Sequence, residues 1–390
     1  MSTHTSPAAR VTLVMSCLFG TTGMILVFLP RWLEVERALS GAEIGLVLSL
    51  AQFARILTGP AIAFWADGAA DRRAPLRIVA ASAVAAYGAF FFLAHDFWSL
   101  LVLGFIALSL TQALTPLIEA AMLRATAAGK LSYGVARGIG SVAFIVANIV
   151  GGLMVARFGI GAVVVWVLLG LASVLASSLF ALTPDPPAAS LRGRERFGAL
   201  AALMRSRRFL IVLISCGLIQ AAHAFYYAFS TIAWRAQEIS AEIVGLLWGF
   251  AVAVEVALLW SLTPIERRIS PEVLIIAGAA GAVVRWIAMG FAPEGAALWF
   301  LQTLHALSFA AAHVGAMRLI YREAPDNAAA MAQTLYSSLS SGLLLGAATV
   351  LSGWLYDWGG ARGYWAMAAI AGVGGLVALL LLAPRTSRAR

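Results

Sequence analysis

Again and again in this chain an apolar run reaches the roughly 20 residues that a helix needs to cross a bilayer. Twelve such runs can be read, at 11–33, 43–66, 76–94, 97–123, 135–156, 160–182, 209–233, 243–264, 272–292, 297–320, 331–355 and 363–384. Inside a bilayer each backbone polar group has to be satisfied within its own segment, so the runs predict helices. The fold class is therefore an all-α membrane protein. With 62% hydrophobic and 12% charged residues, the chain is far from the soluble globular average. Pro60, Pro116 and Pro264 mark turns and kinks, and Trp32, Trp98, Trp234 and Trp358 stand near span ends, where interfacial aromatics collect.

Orientation follows from the basic residues. With the N-terminus inside, 20 Lys and Arg fall in cytoplasmic segments and 5 outside, while Arg55 and Arg285 lie within the membrane. Positive charge stays on the cytoplasmic side, so both termini are expected there, in the cell inner membrane. The same asymmetry accounts for the net charge of +9 as attraction to lipid headgroups, without nucleic acid as a partner. Cys17 and Cys216 sit inside apolar spans and read as packing residues, so neither a disulfide nor a metal site is expected.

The chain also repeats itself. Glu43–Asp67 (EIGLVLSLAQFARILTGPAIAFWAD) is echoed by Glu242–Arg268 (EIVGLLWGFAVAVEVALLWSLTPIERR). Aligning Gly45 with Gly245 sets Arg55 opposite Glu255 and Asp67 opposite Arg267. Ser16-Cys17 recurs as Ser215-Cys216, and Gly152 near Gly159 recurs as Gly353 near Gly359. The organisation expected is a six-helix bundle at 1–182, a cytoplasmic linker at 183–208 rich in Pro and Arg, and a second six-helix bundle at 209–390. Two parallel six-helix halves of this kind form the layout of major facilitator transporters.

Enzyme signatures are absent: there is no HExxH, GxSxG or phosphate loop. Gly138-Ile139-Gly140-Ser141 opens a membrane helix, where small residues let helices approach. The segment Ala63 to Arg73, with Asp67, Arg72 and Arg73, resembles the major facilitator loop signature that latches neighbouring helices; an exposed charged hairpin is the plainer alternative. More telling is the polar set inside the spans: Arg55, Gln112, Glu119, His223, Glu255, Arg285, His305, His313 and Arg318. Singly, each has an ordinary explanation. Arg318 and Glu119 are near enough to a span end to snorkel, Glu255 and Arg285 suit an ion pair, and histidines bridge helices. Together they point to a cavity lined with ionisable groups.

Several strings in order carry a resemblance to the branch of the major facilitator superfamily that includes phenylpropionate permeases, with nucleoside–proton symporters as relatives. They are Pro116-Leu117-Ile118-Glu119-Ala120, Tyr133-Gly134-Val135-Ala136-Arg137, His223-Ala224-Phe225-Tyr226-Tyr227, Val254-Glu255-Val256, Val284-Arg285-Trp286, Leu304-His305 and Ala316-Met317-Arg318. Glu119 stands where an aspartate is expected in this branch. The order of charges also resembles that of lactose-type proton symporters, with a carboxylate and an arginine at Glu119 and Arg137, and Glu255, Arg285 and His305 on spans eight, nine and ten. Those symporters have a protonating carboxylate one turn after the histidine, where this chain has Ser308, which moves the proton site to Glu255 or Glu119.

The resemblance implies a secondary transporter that needs no cofactor, works as a monomer in the lipid bilayer, and imports a small organic solute with protons. Glu119, Arg137, Tyr226, Tyr227, Arg285 and His305 are the expected substrate residues, the tyrosines, with Phe229 and Trp248, offering flat surface to an aromatic acid. A nucleoside or sugar would use Glu119, Gln112 and the histidines instead. A drug exporter and a non-transporting sensor of the same fold complete the alternatives.

Overall fold

The computed structural model describes residues 7–127, 129, 132–180, 182, 203–266, 268–324 and 329–383. Among them there are helices and no strand. In chain order these are α1 (Pro7–Arg37), α2 (Gly41–Gly68), α3 (Arg73–Phe92), α4 (Phe97–Ala127), α5 (Tyr133–Phe158) and α6 (Ala162–Phe180). Next come α7, in two segments Arg207–Ala221 and Ala224–Ala236, α8 (Ala241–Glu266) and α9 (Pro271–Met289). Helix α10 runs Gly295–Thr303, a π-helical stretch Ala306–Ala311 and Ala312–Glu323. Helix α11 runs Ala329–Ser337, a π stretch Ser338–Leu344 and Leu345–Gly359, and α12 is Tyr364–Leu379. Eleven helical stretches are long and apolar enough to cross a membrane, and the last, Ala332–Leu382, contains two of the predicted spans. The turn Gly360–Gly363 separates those two, and Gly360 has a φ of +55°, which suits glycine. Most of the expected linker, 183–202, lies outside the described residues.

The helix ends are set by polar caps. Ser40 and Glu43 form a capping box at α2, and Ser206 and Ser270 accept from the backbone N–H groups of Phe209 and Val273. Arginines close the other ends, where carbonyls are unpaired. Arg37 donates to Phe91 O at 2.7 Å, and Arg77 to Ser178 O and Leu179 O at 3.1 and 3.0 Å. Pro30 and Pro116 lie inside α1 and α4, and neither ends its helix.

The described residues fall into two compact units. The first holds those of Met1–Ser190 with Phe225–Ala253 and Thr349–Gly360. In it α1 packs on α5 and α6, and α4 packs on α2 and α3. Two of the tryptophans placed at span ends turn out to be core residues. Trp32 is 2% exposed, 4.9 Å from Phe91 and under the Arg37 guanidinium, and Trp234 is also 2% exposed, edge-on to Tyr226 at 6.0 Å. Trp98 and Trp358 are exposed, as expected of interfacial rings. Position along a span gives depth, but the face decides burial.

Glycine brings backbones together twice in this unit. A Cβ on Gly45 would lie 2.9 Å from Thr349 O and 3.2 Å from Gly353 Cα, and one on Gly152 would lie 2.5 Å from Ala241 O. Gly245 in turn faces the backbone of Asn148 and Gly152. The crossings exchange repeat partners, since Gly45 aligns with Gly245 and Gly152 with Gly353. Asp357 seals the first one, accepting from the Gly41 and Ala42 N–H groups at 2.7 and 2.8 Å at the start of α2.

The second unit holds the described residues of Leu191–Ala224, Val254–Ala348 and Ala361–Arg390. Its core joins Phe209, Cys216 and Ile219 of α7 to Ile275 of α9, Ala316 and Leu319 of α10 and Tyr336 of α11. Cys216 is a free, buried thiol used for packing. At one end Arg208 bonds Glu272 at 2.7 Å and Glu323 at 3.1 Å, and Arg322 pairs with the same two carboxylates. This network ties the start of α7 and α9 to the end of α10.

Gly45→Ala and Gly152→Ala are each expected to cost about 1–3 kcal/mol through overpacking. Gly88→Ala, where a Cβ meets nothing within 4 Å, is the control and should be neutral or slightly stabilising. Thermal unfolding of the detergent-purified variants measures this; equal melting temperatures for all three would show that the crossings are not close.

Candidate functional site

The second unit gathers three of the predicted residues, His305, Glu255 and His223, around the guanidinium of a fourth, Arg285. Arg285 on α9 has no exposed surface. Its Nη1 donates to His305 Nδ1 at 2.9 Å and to Ser308 Oγ at 3.4 Å, its Nη2 donates to Gln302 Oε1 at 2.9 Å, and its Cζ lies over the Trp286 ring, 4.5 Å from the centroid. Hydrogen bonds from a charged donor are the strong ones, which is what a buried cation requires. On the far edge of the His305 ring, Nε2 lies 3.5 Å from Glu255 Oε2. His305 therefore stands between the arginine and the carboxylate that the sequence pairs directly. Glu255 is the outermost member, its side chain 18% exposed against 5% for His305.

His223 enters from α7, at the break between the two segments. Its backbone N–H bonds Gln220 O at 3.1 Å, one residue short of the α-helical partner. The carbonyl thus left over, Ile219 O, receives the residue's own ring nitrogen Nδ1 at 3.1 Å. The other ring nitrogen, Nε2, lies 3.2 Å from Ser308 Oγ. The α7 break and the α10 π stretch that carries Ser308 are thereby joined through one histidine. Along α10, His305, Phe309 and His313 stack in parallel, with centroids 5.3 and 6.1 Å apart, and His313 reaches Tyr336 at 6.3 Å.

Gln302 and Ser308 were not singled out as ligands of the arginine. Both lie three residues from His305, so they share its helical face, and that spacing is the signal that could have found them. Arg318 belongs elsewhere. It donates to Ile269 O at 3.2 Å and closes the turn between α8 and α9.

A second cluster lies in the first unit. Arg137 Nε on α5 is 3.9 Å from Glu119 Oε1 on α4, the two side chains being 39% and 35% exposed. The Arg137 guanidinium lies over the Phe19 ring of α1 at 4.4 Å, a cation–π arrangement. Arg55 of α2 adds a second positive charge that interacts with Glu119. Two cations thus share one carboxylate. Gln112, also on α4, is half-buried. Tyr226 has no exposed surface and stacks on Trp248 at 4.3 Å, and Phe229 stacks on Tyr356 at 5.1 Å, so these rings spend their faces on each other. Tyr227 is half-buried, 6.1 Å from Trp248. At the start of α3, Arg73 pairs with Asp71 of the preceding loop at 2.6 Å and donates to Leu182 O, just past α6, at 3.0 Å, and Arg72 is 9% exposed. The Asp67 side chain lies outside the described residues. Among the described residues no group of three His, Cys, Asp or Glu forms a metal set.

The model of the MFS_1 like family matches residues 10–367. The chain belongs to that family. It is 33% identical over 353 residues, 90% of this chain and 92% of the other, to a protein of Escherichia coli (strain K12) named "Probable 3-phenylpropionic acid transporter". It is 26% identical over 378 residues, 94% of this chain and 92% of the other, to a maltose permease of Geobacillus stearothermophilus. A crystal structure of a mutant of the nucleoside transporter NupG superposes with a TM-score of 0.85 at 15% identity, covering 96% of this chain and 99% of that one. The fold is that of the major facilitator transporters, and the protein is a membrane transporter rather than an enzyme.

Gln302→Leu removes an acceptor from a buried charged donor and should cost about 1.5–3 kcal/mol, read as a lowered melting temperature. An unchanged melting temperature would mean that Arg285 does not depend on that bond.

Proposed function

We propose that the protein is a proton symporter that imports a small organic acid carrying an aromatic ring. The observation that carries the reading is Glu255 beside His305, a carboxylate and an imidazole 3.5 Å apart among apolar helices. Such a pair holds a proton that either group can take. Glu255 is the proton carrier and Arg285, through His305, the partner that responds to its charge. Arg137 and Arg55 supply the attraction for a carboxylate, with Glu119 balancing one of the two charges, and the Phe19 ring already accepts a flat cation on its face. A relative named for 3-phenylpropionic acid supports that substrate class.

A sugar is the second reading, favoured by the relative named a maltose permease; Glu119 and Gln112 would then serve as hydrogen-bond partners. In both readings the transporter acts as a monomer, without a cofactor, by alternating access between two halves at 1–182 and 209–390. It sits in the cell inner membrane with both termini and the 183–208 linker in the cytoplasm, a placement that the 20 to 5 distribution of basic residues supports.

Proteoliposomes loaded with a pH gradient decide the matter. Wild-type protein is expected to accumulate 3-phenylpropionate uphill, and Glu255→Gln to lose accumulation while keeping exchange. Full accumulation by Glu255→Gln would exclude that residue as the obligatory carrier, and accumulation of maltose instead would turn the reading to a sugar. Arg137→Gln should weaken substrate binding by about tenfold or more, the loss of one charge-assisted bond; unchanged affinity would return the Arg137–Glu119 pair to a structural role. For orientation, single cysteines introduced in 183–208 should resist impermeant thiol reagents in intact cells. Labelling from outside would invert the topology.

A further inference from the structure

The hydrogen bonds around Arg285 have directions that chemistry alone decides. A guanidinium only donates, so His305 Nδ1, 2.9 Å from Nη1, is an acceptor, and the ring carries its proton on Nε2, toward Glu255. On the other side, the carbonyls of Ile219 and Gln220 only accept, at 3.1 and 3.2 Å from His223 Nδ1. That nitrogen therefore bears the proton, and Nε2 receives the Ser308 hydroxyl hydrogen. Ser308 Oγ is then left to accept from Arg285. Around His305 stand Arg285 from α9, Glu255 from α8 and His223 from α7, with ring centroids of the two histidines 5.7 Å apart, and Phe309 stacked from its own helix.

We propose that Arg285 gates a proton relay through His305: the guanidinium plugs Nδ1 and holds the imidazole neutral, and protons reach Glu255 through the ring only when the guanidinium withdraws. The proposal rests on the reading of Glu255 as the proton carrier and deepens it. With Nδ1 uncovered, its lone pair takes a proton and the ring becomes an imidazolium. The Nε2 proton then passes to the Glu255 carboxylate, giving the neutral acid and a neutral ring protonated on Nδ1. One proton has been gained and no other bond changed. An anionic acceptor that draws Arg285 away, such as a carboxylate, opens the path, so anion and proton binding favour each other. Ser308 and Gln302 are positioning residues that keep the guanidinium over Nδ1 when no such acceptor competes.

Nitrogen NMR on the full chain, labelled with 15N at histidine and arginine and held in detergent, reads the gate directly. The His305 signals are identified by their loss in His305→Gln. At neutral pH the wild type should show an unprotonated Nδ1 and a protonated Nε2. On acidification His305 Nδ1 should become protonated in one step, with the Arg285 guanidinium signals moving at the same midpoint. In Arg285→Met that midpoint should rise by at least one pH unit, a tenfold gain in proton affinity. An imidazolium or an Nδ1-protonated ring in the wild type at neutral pH would overturn the gate, as would an unmoved midpoint in Arg285→Met. If that variant does not fold, the wild-type titration decides alone, and a histidine step without an arginine step sinks the proposal. No cargo is present in these measurements. Failure of the gate therefore leaves the accumulation assay standing, and failure of accumulation leaves the tautomer measurement to be judged by itself.

Discussion

A bilayer offers no hydrogen bonds, and nearly every feature of this protein answers to that. Backbone groups pair within helices, so the described spans are helical apart from single-turn breaks such as that in α7. Side chains face the same demand. A buried guanidinium is among the costliest groups to place there, and His305, Gln302 and Ser308 of α10 converge on Arg285 while its guanidinium lies over the Trp286 ring. The irregular stretches of helix serve the same end. The α7 break is filled by a side chain of its own, His223, and the π stretch of α10 carries Ser308 to meet that histidine.

Packing solves a different problem, since lipid gives apolar helices no reason to prefer each other over solvent. Close approach has to supply the attraction. The glycines at 45, 152, 245 and 353 allow it at two crossings that mirror each other in the repeat. A carboxylate, Asp357, adds a charge-assisted cap to one of them. The polar residues that bind the two clusters are, by contrast, not repeated. Arg55 and Glu255 occupy aligned positions with opposite charge, which fits two halves that share a scaffold and divide the chemistry between them.

Much of this was legible in the sequence. Apolar run length is a one-dimensional quantity, and it was enough to count spans and to make each a helix, because the bilayer permits little else. Rarity made the polar set conspicuous, and Glu119 with Arg137, and Glu255 with His305 and Arg285, do come together. Trp32 and Trp234 stand near span ends as read but are buried rather than exposed, because hydropathy reports depth and is silent about which face of a helix meets protein. Gln302 went unnoticed, and Ser308 was read only as a missing carboxylate, because an amide and a hydroxyl are unremarkable until a charge is seen to need them. Which partner each buried group takes depends on helix rotation and on breaks of a single residue, as at His223. Those are settled by the summed packing of several helices, and so only the tertiary structure could decide that a histidine stands between Arg285 and Glu255.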